Sequence, residues 1–521
     1  MAFSLRALIE DRGRHDPDGV AIVEGDSVLT WSLLHERAKQ TAAALHRDGA
    51  RPGARVVYLG KNSAWFFPYL FGCAMAGAVA TPVNWRLAVR ELVEIVDDTE
   101  ATVLLVDHEL RSVVEQVEVA ARRPLTVVDL GGGHGHWPGI EDWWGAADEP
   151  GPQVVADDAG DDIALQLYTS GTTGRPKGAM FAGRTNLRVL AQDIAPRWGL
   201  GPGETSMLSM PLFHMGGVAW AIAGLAQGAR GVVVRDFVPA EVLDTMEREQ
   251  VTTAFFVPAM LNALVAQPGA DARSLGLRRV TYSGAPISTS ALVAAMKTFR
   301  CDFVQIYGLT EATGAFAQLE PEDHDPSGPH AHLLRSAGRP YPWVEVQVVD
   351  AQGTTCGVDE IGEIWTRSEQ NTVGYWRRPA DSTTSITEDG WLRTGDLGRL
   401  DAEGRIFLVD RAKDLIISGG ENVYPAEVEN ELAAHPDVAE VAVIGVPHER
   451  WGETVKAVVV PRAGAEPDAA DLVAFARTRL AAFKCPTTVD LVEELPRTAT
   501  GKVVKGELRE PYWRGHDRRI N

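Results

Sequence analysis

Short apolar runs that read as strands, "ARVVYLG", "ATVLLVD" and "GVVVRD", alternate with segments of helical period such as "SLLHERAKQTAAALHRDG" as far as about residue 320. A strand apolar at nearly every position must be covered on both faces, and helices that return between parallel strands provide that cover. The alternation therefore predicts a layered α/β domain with largely parallel strands. The texture changes from about residue 320 to 408, where "GEIWTRS", "GWLRTGDLGRL" and "GRIFLVD" read as short strands between Gly and Asp turns, as in a small β-barrel or twisted sheet. Next come a helix ("AEVENELAAH"), two strands ("VAEVAVIGV", "ETVKAVVVP") and a helix ("DAADLVAFARTRLAAF"), enough for a compact α+β unit. The expected organisation is a large domain over 1–410, with the barrel-like part at about 320–408, and a small C-terminal domain over 411–521.

Composition removes several classes of function. The formal net charge of −21 repels a polyanion at long range, which argues against nucleic acid as a partner. Cys73, Cys301, Cys356 and Cys485 are far apart and form no metal-ligand spacing, so neither a zinc site nor a disulfide framework is expected, and a reducing cytoplasm fits. The N-terminus lacks the apolar core of a secretory signal. The uncharged stretch Trp65–Val83 is almost long enough to span a bilayer, but it carries Pro68, Pro82, Gly72 and Gly77. A buried helix followed by a strand is the favoured reading, with weak peripheral membrane contact as the other. "DLGGGHGHWPG" is broken by Trp137, Pro138 and Gly139, where a dinucleotide fingerprint needs a helix, and His134 and His136 read as loop residues.

The chemistry begins at "YTSGTTGRPKG", residues 168–178, in which seven of eleven residues are Thr, Ser or Gly. Uncovered backbone N–H groups and hydroxyls are the groups that hold phosphate oxygens, so the loop reads as nucleotide-binding. It is not the familiar phosphate loop, because Gly178 stands after Lys177 where that motif needs Ser or Thr. In "QIYGLTEATG", Tyr307 could stack on a purine, Gly308 could admit a ligand to the main chain, Thr310 offers a hydroxyl, and Glu311 is a hard oxygen ligand suited to Mg²⁺. Asp396 in "WLRTGDLGRL" could accept from ribose hydroxyls, although a turn-forming Asp is the simpler explanation. Lys502 in "PRTATGK" reads either as a solvated lysine or as an ammonium delivered into a cleft.

Together, "YTSGTTGRPKG", "FHMGG", "YGLTE", "WLRTGD", "DRAKDLIISGGENVYP" and "PRTATGK" resemble, in order and spacing, the signature of the adenylate-forming acyl-CoA synthetases, most of all bacterial fatty-acid and aryl-acid CoA ligases. The resemblance implies a cytoplasmic enzyme using ATP, Mg²⁺ and coenzyme A, which joins a carboxylic acid to the α-phosphate of ATP and then passes it to the thiol. It implies that Thr169, Ser170, Gly171, Thr172, Thr173, Gly174 and Lys177 wrap the phosphates. Gly284, Ala285 and Pro286 would line the nucleotide and Tyr307 would stack on adenine. Thr310 would touch the α-phosphate, Glu311 with Thr169 would hold Mg²⁺, and Asp396 with Arg411 would take the ribose. Lys502 would contact both the acid and the α-phosphate, and Lys413 would be the hinge on which the small domain swings. Ser418, Gly419 and Gly420 would line the pantetheine path, and His214 and Gly308 would stand at the acid. Amino-acid-activating relatives carry an Asp at the position of His214, so amino acids are disfavoured. A fatty acid is the first expectation, an aryl or cinnamic-type acid the second, and transfer to a carrier protein a third. A homodimer is a further expectation about partners.

Overall fold

The computed structural model describes residues 3–146, 163–170, 176–285, 287–411, 414–418, 421–448, 450–498 and 501–514. Two large sheets carry the N-terminal part. Six strands lie in the order Thr126–Asp129, Val103–Val106, Arg55–Leu59, Val79–Val83, Ile163–Ser170, Pro176–Ala182, parallel except for the closing hairpin. Nine strands form the second sheet, whose centre runs Asp302–Tyr307, Arg279–Tyr282, Thr253–Phe256, Thr205–Leu208, Arg230–Val233 and Val20–Glu24, all parallel. The apolar runs make these strands: Arg55–Leu59 and Thr253–Phe256 are buried at every residue, as parallel strands covered on both faces must be.

The stretch Trp65–Val83 divides into a helix, Phe66–Ala76, and a strand, Val79–Val83, both packed into the core. Gly77 ends the helix at φ 68°, a left-handed conformation that a side chain resists. No described helix is long and apolar enough to cross a membrane. His134 and His136 pair with Glu115 and Glu118 on the surface, at 2.8 and 3.1 Å. All four cysteines are free.

The region expected to form a small barrel or twisted sheet is a four-stranded antiparallel sheet: Glu345–Val349, Gly362–Arg367, Leu392–Leu400 and Ile406–Arg411. Beyond it the C-terminal sheet pairs Val438–His448 with Gly452–Pro461, packed with the helices Pro425–Leu432 and Ala469–Arg477 around its own core of Ile416, Val428, Val443, Ala457, Val459 and Leu472. The helix, strand, strand, helix order read from the sequence is the order seen. One α/β body with a large parallel-rich part and a smaller C-terminal antiparallel part is the resulting architecture.

Candidate active site

Three neighbouring parallel strands end together. Phe256 stands opposite Tyr282 and Tyr282 opposite Gln305, so the segments beginning at Val257, Ser283 and Gly308 leave from one edge of the sheet. That edge, the carboxyl end of parallel strands, is where open α/β sheets bind ligands. Gly284 is exposed there at φ 89°, and an added Cβ would stand 3.1 Å from Val257 Cγ1. Ala285 beside it is half-buried. At Gly308 an added Cβ would lie 2.2 Å from the Gly314 carbonyl, so the glycine is required by the returning chain. Just after it, Thr310–Ala312 form a single 3₁₀ turn.

That turn is held by Gln370, a buried residue that sequence reasoning missed. Its amide donates to the carbonyls of Ala312 and Ala315 at 2.8 and 2.6 Å, and its oxygen accepts from Trp343 Nε1 at 2.9 Å. Its own carbonyl accepts from the Thr313 hydroxyl. A loop pinned at so many polar points keeps Thr310 and Glu311 in fixed positions.

One corner of the cleft brings Tyr307, Asp396 and Arg411 together. Asp396 and Arg411 are cross-strand partners, and Arg411 Nε lies 2.6 Å from Asp396 Oδ1. The Tyr307 hydroxyl donates to Asp396 Oδ2 at 2.8 Å. Asp396 is only 6% exposed. Burial first, and the Asp396 carboxylate second, hold the Tyr307 hydroxyl well above the usual phenol range, so it stays a donor. The Tyr307 ring meets Phe316 edge-on at 4.8 Å between centroids.

A second corner gathers hard oxygen donors and a cation. Thr169 Oγ1 lies 3.5 Å from Glu311 Oε1, and the Tyr375 hydroxyl donates to the same Glu311 oxygen at 2.8 Å. Lys177 Nζ is 2.5 Å from Asp381 Oδ1 and 5.6 Å from the centre of the Tyr375 ring. A carboxylate and a hydroxyl close together fit Mg²⁺, which takes one or two protein oxygens and leaves other positions to phosphate and water. Tyr375 and Asp381 come from a segment that also fixes the hairpin of the loop: Met180 N donates to Gly374 O at 3.0 Å and Trp376 N to Gly178 O at 2.8 Å. Ser170 ends the strand that enters the loop. Gly171, Thr172, Thr173, Gly174 and Pro286 lie outside the described residues, as do Lys413, Gly419 and Gly420.

His214 and the turn that carries Lys502 lie at another part of the site. His214 precedes the helix Met215–Gln227, and its Nδ1 accepts from Gly216 N at 3.2 Å. Burial, reinforced by the nearby positive charge of Lys502, lowers its pKa to about 4, so at neutral pH the ring is uncharged. Lys502 is presented by a tight turn in which Thr498 N donates to Lys502 O at 2.7 Å and Gly501 N to Thr498 O at 2.8 Å. A Cβ on Gly501, at φ 79°, would lie 3.6 Å from both Val257 and Ala259, so the C-terminal turn rests on the wall of the N-terminal cleft. Ser418, by contrast, is built into the C-terminal sheet opposite Glu421 and Gly452.

The chain resembles known proteins along nearly its whole length. A family model described as AMP-binding enzyme matches residues 9–376, and one described as AMP-binding enzyme C-terminal domain matches residues 427–502. The chain is 38% identical over 514 residues to the fatty acid–[acyl-carrier-protein] ligase ScoC of Streptomyces coeruleorubidus, covering 98% of this chain and 96% of that protein. It is 38% identical over 508 residues to a feruloyl-CoA synthase of an Amycolatopsis species, covering 96% of this chain and 97% of the relative. The solved structure of ATP-bound MatB from Rhodopseudomonas palustris is similar at a TM-score of 0.88 and 30% identity, over 98% of this chain and 99% of that one. The chain therefore belongs to the AMP-binding enzyme family of adenylate-forming ligases, whose coenzyme A ligases use ATP, Mg²⁺ and coenzyme A, and it carries both the large AMP-binding part and the C-terminal domain.

Proposed function

We propose that this ligase converts an apolar carboxylic acid, a medium- or long-chain fatty acid before an aryl or cinnamic-type acid, to acyl-AMP plus pyrophosphate and then to acyl-CoA plus AMP. The observation that carries the reading is the seat of the Lys502 turn against Val257 and Ala259, near enough to His214 for the lysine's charge to act on the ring. An acid oxygen attacks the α-phosphorus as the bond to pyrophosphate breaks. Two anions must meet for this, and a compact ammonium between them cancels their repulsion. Lys502 supplies it, Thr310 faces the α-phosphate, and Asp396 with Arg411 orients the ribose. Thr169 and Glu311 would hold Mg²⁺, which would supply positive charge to offset that of the leaving pyrophosphate. Positioning and charge thus provide the catalysis, without a covalent enzyme intermediate.

The thiol must reach the same carbon that Lys502 guards, so the C-terminal domain beyond Lys413 withdraws about that residue for the second step, while Arg411, on the strand Ile406–Arg411, stays with Asp396. Ser418, Gly419 and Gly420 then flank the pantetheine. The acid chain runs between Phe255, which lies 3.1 Å from a Cβ built on Gly216, and Gly314, whose added Cβ would lie 3.7 Å from Met215 and Ala219. An amino acid would set a second ammonium beside Lys502, repelled at close range. Likeness to a fatty acid–[acyl-carrier-protein] ligase supports a second reading, in which a carrier-protein thiol replaces coenzyme A.

A panel of acids from acetate to palmitate, with benzoate, coumarate and ferulate, assayed for acid-dependent AMP release with coenzyme A tests the proposal. Turnover highest with fatty acids supports it. Acid-dependent pyrophosphate release without thioester moves the acceptor to a carrier protein, and no acid-dependent release overturns the reading.

A further inference from the structure

Lys177 is engaged by a carboxylate that the reaction does not otherwise need. Its ammonium lies 2.5 Å from Asp381 Oδ1, with 11% of the lysine side chain and 29% of the aspartate side chain exposed. Both ends are firmly placed. Lys177 pairs across the hairpin with Thr169, whose hydroxyl neighbours Glu311. Asp381 stands in the first turn of the helix Pro379–Ser385, which is tied back by Ser382 Oγ accepting from Tyr375 N at 2.9 Å. Tyr375 lies between them and Glu311: its ring faces Lys177 and its hydroxyl bonds Glu311. The lysine that ends the phosphate loop is therefore one tyrosine ring away from the candidate Mg²⁺ ligands, with its charge already matched.

We propose that Asp381 is a positioning residue that shares Lys177 with the phosphate chain, holding the ammonium when the subsite is empty and taking it back as pyrophosphate leaves. The inference rests on the ATP-dependent reading above. A triphosphate carries far more charge than one carboxylate, and lysine has a flexible four-carbon stem, so the ammonium turns to the nucleotide when it binds. The ammonium must give up its pairing with that carboxylate to reach the phosphates, and the lost pairing weakens the grip on ATP and on pyrophosphate together. Loose binding of a tetra-anionic product favours its release, and release completes the first step.

The test compares wild type, Asp381→Asn, Asp381→Ser, Asp381→Glu, Lys177→Gln and the double variant Lys177→Gln/Asp381→Asn. Each is measured for KM of ATP, inhibition by inorganic pyrophosphate, kcat and melting temperature, at two salt concentrations. Asp381→Asn and Asp381→Ser should lower the KM for ATP and the inhibition constant for pyrophosphate by about fivefold each, an effect that shrinks as salt rises. Asp381→Glu should restore values near wild type, and the gain should fall below about twofold in the Lys177→Gln background because the shared cation is gone. Unchanged or raised KM for ATP in variants that melt like wild type overturns the proposal, as does an undiminished gain in the Lys177→Gln background. Failure of the wild type to release pyrophosphate on adding any acid strikes instead at the ATP-dependent reading, and calorimetric binding of Mg²⁺-pyrophosphate still reports on Asp381.

Discussion

Asp396 and Lys502 serve the same cleft and are held in opposite ways. Asp396 is buried, and its two oxygens are taken by Arg411 from the adjacent strand and Tyr307 from another sheet. Lys502 stands on a turn closed by its own neighbours, Thr498 to Gly501, and meets the cleft through the surface of a glycine. The first arrangement is assembled before any ligand arrives, and its dismantling would disturb three parts of the chain. The second reaches the cleft from the C-terminal domain, across the approach of Gly501 to Val257 and Ala259. The proposed two-step reaction would call for this division: the ribose would stay bound through both steps, whereas the ammonium would serve the first and obstruct the second.

The largest effect should come from the side of Lys502. Lys502→Ala should slow acyl-AMP formation by at least about 10²–10³-fold, the usual cost of removing one group that stabilises charge in a transition state. Thioester formation from supplied acyl-AMP should be nearly unchanged. The two rates are measured separately, by pyrophosphate exchange and by coenzyme A consumption, and equal loss in both would erase the contrast with Asp396.

Asp396→Asn should act on both steps alike. Loss of a charged acceptor for ribose hydroxyls raises the KM for ATP by about 10- to 100-fold, and the same variant should weaken binding of supplied acyl-AMP to a similar degree. Arg411 loses its buried partner, and because Arg411 is about one-third exposed, solvent takes up part of the cost, so the fall in stability should stay near 1–2 kcal/mol. A variant that affects pyrophosphate exchange but not thioester formation would mean that the ribose corner, too, is used in one step only.

The preassembled side is also the harder one to read from residues alone. Strand runs announce themselves because burial on both faces leaves no polar position, and Gly308 and Gly284 mark the strand ends. Asp396 looks like an ordinary turn residue, since nothing in "WLRTGDLGRL" says that Arg411 and Tyr307 will converge on it; the likeness to a known family sets it with Arg411, and only the folded chain adds the bond from Tyr307. Gln370, Tyr375 and Asp381 escape altogether. They sit in a segment with no helical or strand period, and their importance lies in bonds to Ala312, Glu311 and Lys177, which only the folded chain brings near. The Lys502 motif has the reverse character: its turn is local, while its destination against Val257 and Ala259 is set by the packing of two domains.

The smallest expected effect tests that destination. His214 has its pKa lowered from 6.5 to about 4 by burial and by Lys502, so the unfolded chain binds a proton more readily than the folded one between those values. Stability should therefore be fully present above pH 6.5 and fall as the pH drops toward 4, by about 1–3 kcal/mol from this ring alone. His214→Gln should remove that part of the slope, measured by urea unfolding at pH 7, 6, 5 and 4. Lys502→Ala should remove the smaller share due to charge and leave the share due to burial. If Lys502→Ala leaves the slope of the wild type untouched while His214→Gln flattens it, the turn does not rest on this histidine in the free enzyme, and the ammonium arrives only with the substrates.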